Sequence, residues 1–168
     1  MRRAERRRWA PVLLAAALGT AGPAAAGDPG AAPIEIRADR LTVEHGGAVL
    51  IYQGNVSLTQ DGLAVQADTL TVHRDASGLQ SLSIEGRPGA PARFEHRRPD
   101  GRRVRGRAQH LRYEPAAGRL RLEGDAWLDN GSGELASDRI DYELDAGRFE
   151  AGGERGVRMR LLPAGAEP

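Results

Sequence analysis

Tyr52-Gln53-Gly54-Asn55-Val56-Ser57-Leu58 returns 70 residues later as Leu122-Glu123-Gly124-Asp125-Ala126-Trp127-Leu128, and this pair of segments decides the fold. In both, apolar and polar positions alternate, the signature of a strand with one buried face. In both, a glycine followed by an Asx residue interrupts the alternation, as at a bulge or a sharp bend. The same offset sets Leu41-Thr42-Val43 against Leu111-Arg112-Tyr113. It also sets Val65-Gln66-Ala67-Asp68-Thr69-Leu70-Thr71-Val72 against Leu135-Ala136-Ser137-Asp138-Arg139-Ile140-Asp141-Tyr142, with no gap between 41–75 and 111–145. A fixed internal period sets architecture before any single residue does, and this one describes a duplicated β structure.

Outward from these segments, the pattern persists. Ile34/Ile36/Ala38, Leu63/Val65/Ala67, Leu82/Ile84, Ala92/Phe94, Leu120/Leu122, Ile140/Tyr142/Leu144 and Val157/Met159/Leu161 all alternate with polar neighbours. Between such runs lie Gly46-Gly47, Asp61-Gly62, Ser77-Gly78, Asp100-Gly101, Asn130-Gly131 and Gly152-Gly153, the chemistry of tight hairpins. Proline is absent from Ile34 through Arg87, as a hydrogen-bonded ladder requires. No segment sustains a helical period. Asp39, Asp68 and Asp138 each follow a small residue just before an apolar strand, with Gln109 in the fourth slot. These carboxylates are expected to cap corners by bonding backbone N–H groups. Long strands bent at such corners fold over into two facing sheets, so the fold class is all-β: a twisted antiparallel jelly roll or folded sandwich of two tandem related halves. With 40% hydrophobic but only 4% aromatic residues, the two inner faces fit either a filled core or a lined groove.

Residues 1–26 read as a signal peptide: a basic stretch with Arg2, Arg3, Arg6, Arg7 and Arg8, an apolar run from Val12 to Leu18, and Ala24-Ala25-Ala26 for cleavage. Gly19, Gly22 and Pro23 break the apolar stretch short of the about 20 residues a membrane span needs. A short flexible lead (27–33), the β domain (34–162) and a disordered tail (163–168) follow. Removing the signal takes five arginines and Glu5, turning 24 bases against 23 acids into 19 against 22, a formal −3. That balance argues against a nucleic-acid binder. An exported chain without cysteine must stand on its own core.

No catalytic constellation, cofactor motif or metal-ligand spacing stands out. His45, His73, His96 and His110 are scattered at turns and strand ends, and Ser57, Ser81 and Ser83 read as solvent-face serines. Arg97, Arg98, Arg102, Arg103, Arg105 and Arg107 crowd around Pro99-Asp100-Gly101. They read as a solvated hairpin tip, with an anion site for phosphates as the sharper alternative. Trp127 and Tyr113 are expected in the core or the groove wall.

Pro33-Ile34-Glu35-Ile36-Arg37-Ala38-Asp39, then Tyr52-Gln53-Gly54-Asn55-Val56 and Val65-Gln66-Ala67-Asp68, form an ordered set of landmarks. With Ala92-Arg93-Phe94 and Tyr113-Glu114 they resemble the LptA family, periplasmic bridge proteins of lipopolysaccharide transport that carry the OstA-like domain. The resemblance covers about residues 33–161. The second half departs from it, with Ala108-Gln109 and Gly124-Asp125-Ala126 where the family pattern has Ala-Asp and Gly-Asn-Val. It implies a jelly roll open along one side, a non-catalytic carrier that holds lipid A acyl chains in a groove, and subunits stacked end to end from inner to outer membrane. By matching position, Ile34, Ile36, Val43, Leu50, Tyr52, Phe94 and Tyr113 line the groove. By alternation, Val56, Leu58, Val65, Leu70, Val72, Ile84, Leu122, Leu128 and Tyr142 join them.

The strand Ile34–Ala38 is then the docking edge toward the inner-membrane transport complex. The strand Val157–Leu161 is the edge toward the outer-membrane translocon or another copy. Alternatives are the inner-membrane-anchored component of the same pathway, which shares the fold, and a cargo-free β filament. A secreted hydrolase is a third.

Overall fold

The structure, a computed structural model, describes residues 32–162; the expected signal peptide, most of the lead and the tail lie outside these residues. Alternation becomes twelve strands, six per half. The first half holds β1 (Glu35–Arg37), β2 (Arg40–Glu44), β3 (Val49–Gln60), β4 (Leu63–Asp75), β5 (Gly78–Glu85) and β6 (Ala92–Arg97). The second holds β7 (Arg103–Ala108), β8 (His110–Glu114), β9 (Arg119–Asp129), β10 (Gly133–Glu143), β11 (Arg148–Gly152) and β12 (Arg158–Leu161). Single 3-10 turns at His45–Gly47 and Pro115–Ala117 occupy equivalent places in the two halves.

One antiparallel ladder runs through all twelve strands and folds over on itself. The long strands β3, β4, β9 and β10 bend, and each serves two layers. The first layer runs β2-β3-β4-β5-β8-β9-β10-β11. The second runs β1-β3-β4-β6-β7-β9-β10-β12. Register breaks between Gln53 and Val56 and between Ser137 and Arg139 mark the bends.

The corners explain the glycines. Gly54, Asn55, Gly124 and Asp125 have φ of 78°, 47°, 77° and 50°, the left-handed region open to glycine and tolerated by Asx residues. A Cβ on Gly54 would run into the Asp39 carboxylate, and one on Gly124 into the Gln109 side chain. The Asp39 N–H donates to Gly54 O at 3.0 Å and the Gln109 N–H to Gly124 O at 2.9 Å. Across the first corner Asn55 Nδ2 donates to Asp39 Oδ2 at 2.8 Å; across the second, Gln109 Nε2 donates to Asp125 Oδ2 at 3.0 Å. The amide and the acid have exchanged strands. The two departures of the second half from the family pattern thus compensate each other.

This corrects the expected caps. Among the three aspartates only Asp138 takes a backbone N–H, from Arg155 at 2.9 Å, and it also pairs with that guanidinium. Asp39 takes a side-chain amide, and Asp68 faces Arg87 at 3.5 Å.

Directly paired residues share a face, so the ladder carries three apolar rows across the inner surface. One row is Leu41, Tyr52, Leu70, Ile84, Leu111, Leu122, Ile140 and Ala151. Beside it run Val43, Leu50, Val72, Leu82, Tyr113, Leu120, Tyr142 and Phe149. The second layer contributes Ile36, Leu58, Val65, Phe94, Gly106, Leu128, Leu135 and Met159. The middle members of each row are buried and form the core.

Candidate functional site

The residues expected to line a groove lie on the inner faces, and Ile34 and Val56 alone fall outside the three rows. Val56, Leu58, Val65, Leu70, Val72, Ile84, Phe94, Tyr113, Leu122, Leu128 and Tyr142 are buried between the layers. Ile34, Ile36, Leu50 and Tyr52 are half-buried against them. Val43 stands at the N-terminal mouth, 56% exposed, next to Leu41 at 49%. At the opposite mouth Met159 and Leu161 are 51% and 70% exposed. Each is paired with an inner-face residue: Leu41 with Tyr52, Val43 with Leu50, Met159 with Leu135 and Leu161 with Gly133. The apolar interior therefore reaches the surface at both ends. Alternation in the sequence held the signal for Leu41, Met159 and Leu161, which the family match left out of the lining.

The corners join the layers on one side. On the other, no backbone ladder connects them among the described residues, and side chains alone span the seam. The Tyr113 hydroxyl on β8 donates to Gln60 Oε1 at the end of β3, at 2.8 Å. The Tyr142 hydroxyl on β10 shares a 2.9 Å hydrogen bond with His96 Nδ1 on β6. Phe94 stacks on Tyr142 with ring centroids 6.0 Å apart. Arg98 reaches from the β6–β7 turn to Gly147 in the β10–β11 turn. Its guanidinium is mostly covered, lies 3.7 Å from Asp100, and leaves Nε without a hydrogen-bond partner.

Sequence reading misplaced Ser81, taken for a solvent-face serine yet buried, and above all His96. It was grouped with turn and strand-end histidines, yet it is buried. Its phase gave the signal: Ala92, Phe94 and His96 alternate onto one face. Burial, helped by Arg98, holds its imidazole below the usual histidine range, while Asp145, Asp61 and Asp100 oppose that shift. The ring is neutral at pH 7 and can share its bond with Tyr142. Burial also raises the Tyr113 and Tyr142 hydroxyls.

Trp127 is a second correction. Its neighbours Ala126 and Leu128 point inward, so Trp127 lies on the outer face, beneath the Arg107 guanidinium at 4.8 Å. The arginines around Pro99 divide between seam and outer face. Arg102 pairs with Asp100 at 2.7 Å, Arg105 with Asp129 at 2.8 Å, and Arg103 lies 4.0 Å from Glu95. A cleft of about 600 Å³ opens at the corner, lined by Arg87, Pro88, Gln109 and Asp125 among others. Another of about 620 Å³ lies on the outer face of the second layer, along Arg93, Arg105 and Trp127. Both are walled largely by outward side chains.

The comparisons agree with this geometry. The chain is 31% identical to the lipopolysaccharide export system protein LptA of Escherichia coli (strain K12) over 130 residues, covering 77% of this chain and 70% of that one. It is 23% identical over 134 residues to the protein of the same name from Haemophilus influenzae, covering 79% and 78%. Its fold matches the crystal structure of LptH from Pseudomonas aeruginosa, described as the LptA-homologous periplasmic component of the lipopolysaccharide transport device. That match has a TM-score of 0.70 and 22% identity, over 79% of this chain and 96% of that one. Residues 35–148 match the family model described as "LptA/(LptD N-terminal domain) LPS transport protein", and the chain belongs to this family of lipopolysaccharide transport proteins.

Proposed function

We propose that this chain is a periplasmic carrier that holds the acyl chains of lipopolysaccharide between its two layers, without catalysis, and joins further copies end to end. One observation carries this reading: the inner apolar rows run the length of the sandwich and emerge at both mouths. The chemistry supports it. Burying a CH₂ is worth about 0.8 kcal/mol, so a twelve-carbon chain in water forfeits roughly 10 kcal/mol. Such a lipid cannot cross an aqueous space unshielded.

In the middle of the sandwich the layers touch, so cargo enters by parting them along the seam. Acyl methylenes then replace facing side chains, and the apolar surfaces stay dry. What must give way is the reach of Arg98 to Gly147 and the pair of polar bridges at Tyr113 and Tyr142, each bridge worth about 0.5–1.5 kcal/mol net. The corners remain as the hinge. The proposed lining keeps the sixteen residues read from the sequence and adds Leu41, Met159 and Leu161 at the mouths.

A photo-crosslinking residue at Phe94 or Ile36 tests the assignment in cells. Both positions face inward, while Glu35 faces out and is exposed. Lipopolysaccharide is captured at Phe94 and Ile36 and not at Glu35. Equal capture at all three positions overturns the proposal.

A further inference from the structure

The outer face of the second layer carries a row of side chains that packing does not account for. Read across the ladder, the paired residues are Gln66, Arg93, Arg107, Trp127, Ala136 and Arg158. This row holds three arginines and no acid. The next row toward the seam is balanced: Glu95 faces Arg105, Arg105 faces Asp129, and Asp129 faces Glu134. Arg105 pairs with Asp129 there at 2.8 Å, whereas among the described residues no carboxylate lies within 4.0 Å of Arg93, Arg107 or Arg158.

Arg93 and Arg107 stand directly opposite each other, two like charges on adjacent strands, which destabilises a cross-strand pair. Arg107 is also held in place, its guanidinium 4.8 Å from the centre of the Trp127 ring. A guanidinium held by its attraction to a ring keeps its N–H donors free, where an ion pair would use them. Those donors form the fork that takes two oxygens of a carboxylate or phosphate at once. Clefts flank the Arg107–Trp127 pair. One of about 620 Å³ runs along Gln66 and Arg93; another of about 470 Å³ leads past Trp127 to Arg158. Glu95, Asp129 and Glu134 border the first. Arg93 and Arg158 are four strand steps apart, roughly 19 Å at about 4.8 Å per step.

We infer that this row binds a glycan of neutral sugar rings bearing scattered carboxylates, the chemistry of the cell-wall polymer in the periplasm. The ligand has to span several strands, so it is a chain and not a single ion. It has to carry negative groups for Arg93 and Arg107. Those groups have to be sparse, because the bordering carboxylates repel a dense polyanion such as a nucleic acid or an anionic membrane surface. The same carboxylates accept hydrogen bonds from sugar hydroxyls. Arg107 also lines the cleft at the corner, so the row lies on the side away from the seam. Glycan and acyl cargo thus occupy opposite faces of one layer. The inference rests on the periplasmic location proposed above and not on the carriage of lipid.

Co-sedimentation of the purified protein with insoluble peptidoglycan sacculi tests this, with cellulose as the uncharged control. The unsubstituted protein binds sacculi and not cellulose. Arg93→Gln combined with Arg107→Gln weakens binding at least tenfold, while Arg112→Gln, on the outer face of the first layer, leaves it unchanged. Arg93→Gln alone weakens binding yet raises the urea midpoint, because the like-charge pair is gone. Lipopolysaccharide capture at Phe94 persists in the double variant. Absence of binding to sacculi, an equal loss with Arg112→Gln, or tighter binding to phosphatidylglycerol vesicles overturns the assignment. So does a lowered urea midpoint for Arg93→Gln, which makes that arginine a structural one. Capture lost in step with sacculus binding overturns it as well, by giving the row to the cargo. Capture absent from the unsubstituted protein overturns the carrier reading and leaves this one standing.

Discussion

His96 is a neutral polar group held inside an apolar sandwich by one tyrosine. The groups around it are Tyr142 on β10, Arg98 and Asp100 in the β6–β7 turn, Asp61 in the β3–β4 turn and Asp145 in the β10–β11 turn. Burial and Arg98 outweigh the three carboxylates, so its folded pKa lies below that of the unfolded chain, about 6.5. As pH falls through that value the unfolded chain takes up a proton that the folded one refuses. Stability therefore drops on acidification and levels off below the folded pKa. Urea midpoints measured between pH 7.5 and 5 show this drop in the unsubstituted protein. His96→Gln, which cannot titrate, lacks that component. Identical pH profiles for the two proteins would show that His96 is not the group responsible.

At the scale of elements, the bent strands do the architectural work, and the corner pairs show how. Asp39 with Asn55 and Gln109 with Asp125 are the same contact written in opposite directions. Gln109→Asp alone sets a second carboxylate against Asp125, removes a hydrogen bond, and destabilises by about 1–3 kcal/mol. Asp125→Asn added to it rebuilds the pair of the first corner and recovers most of the loss. A double-mutant cycle by urea unfolding measures the coupling, which is additive only if the two side chains do not interact.

For the molecule as a whole, much was legible in the sequence, because phase and period are local. The 70-residue repeat, the strands, the bends at Gly54 and Gly124 and the inward phase of Phe94 and Tyr142 all followed from alternation. Partnership across layers was not legible. Nothing near His96 in the chain announces Tyr142, and Gln60 and Tyr113 lie 53 residues apart. Trp127 was misread because an aromatic residue on a strand suits either face, whereas the phase of Ala126 and Leu128 fixes it outward. Each end of the folded-over ladder has two open edges among the described residues, β1 and β2 at one and β11 and β12 at the other, of which alternation alone singled out one apiece.

The central claim is that cargo sits between the layers, and interlayer distance tests it. Ala64 on the second layer and Arg112 on the first are exposed and face outward on opposite sides. In a chain without cysteine, Ala64→Cys and Arg112→Cys accept spin labels at those two positions alone. Pulsed electron-electron resonance then gives the separation with and without lipopolysaccharide. The account predicts that saturating lipid lengthens the separation by several ångströms. A distribution that stays unchanged while lipid is demonstrably bound contradicts it.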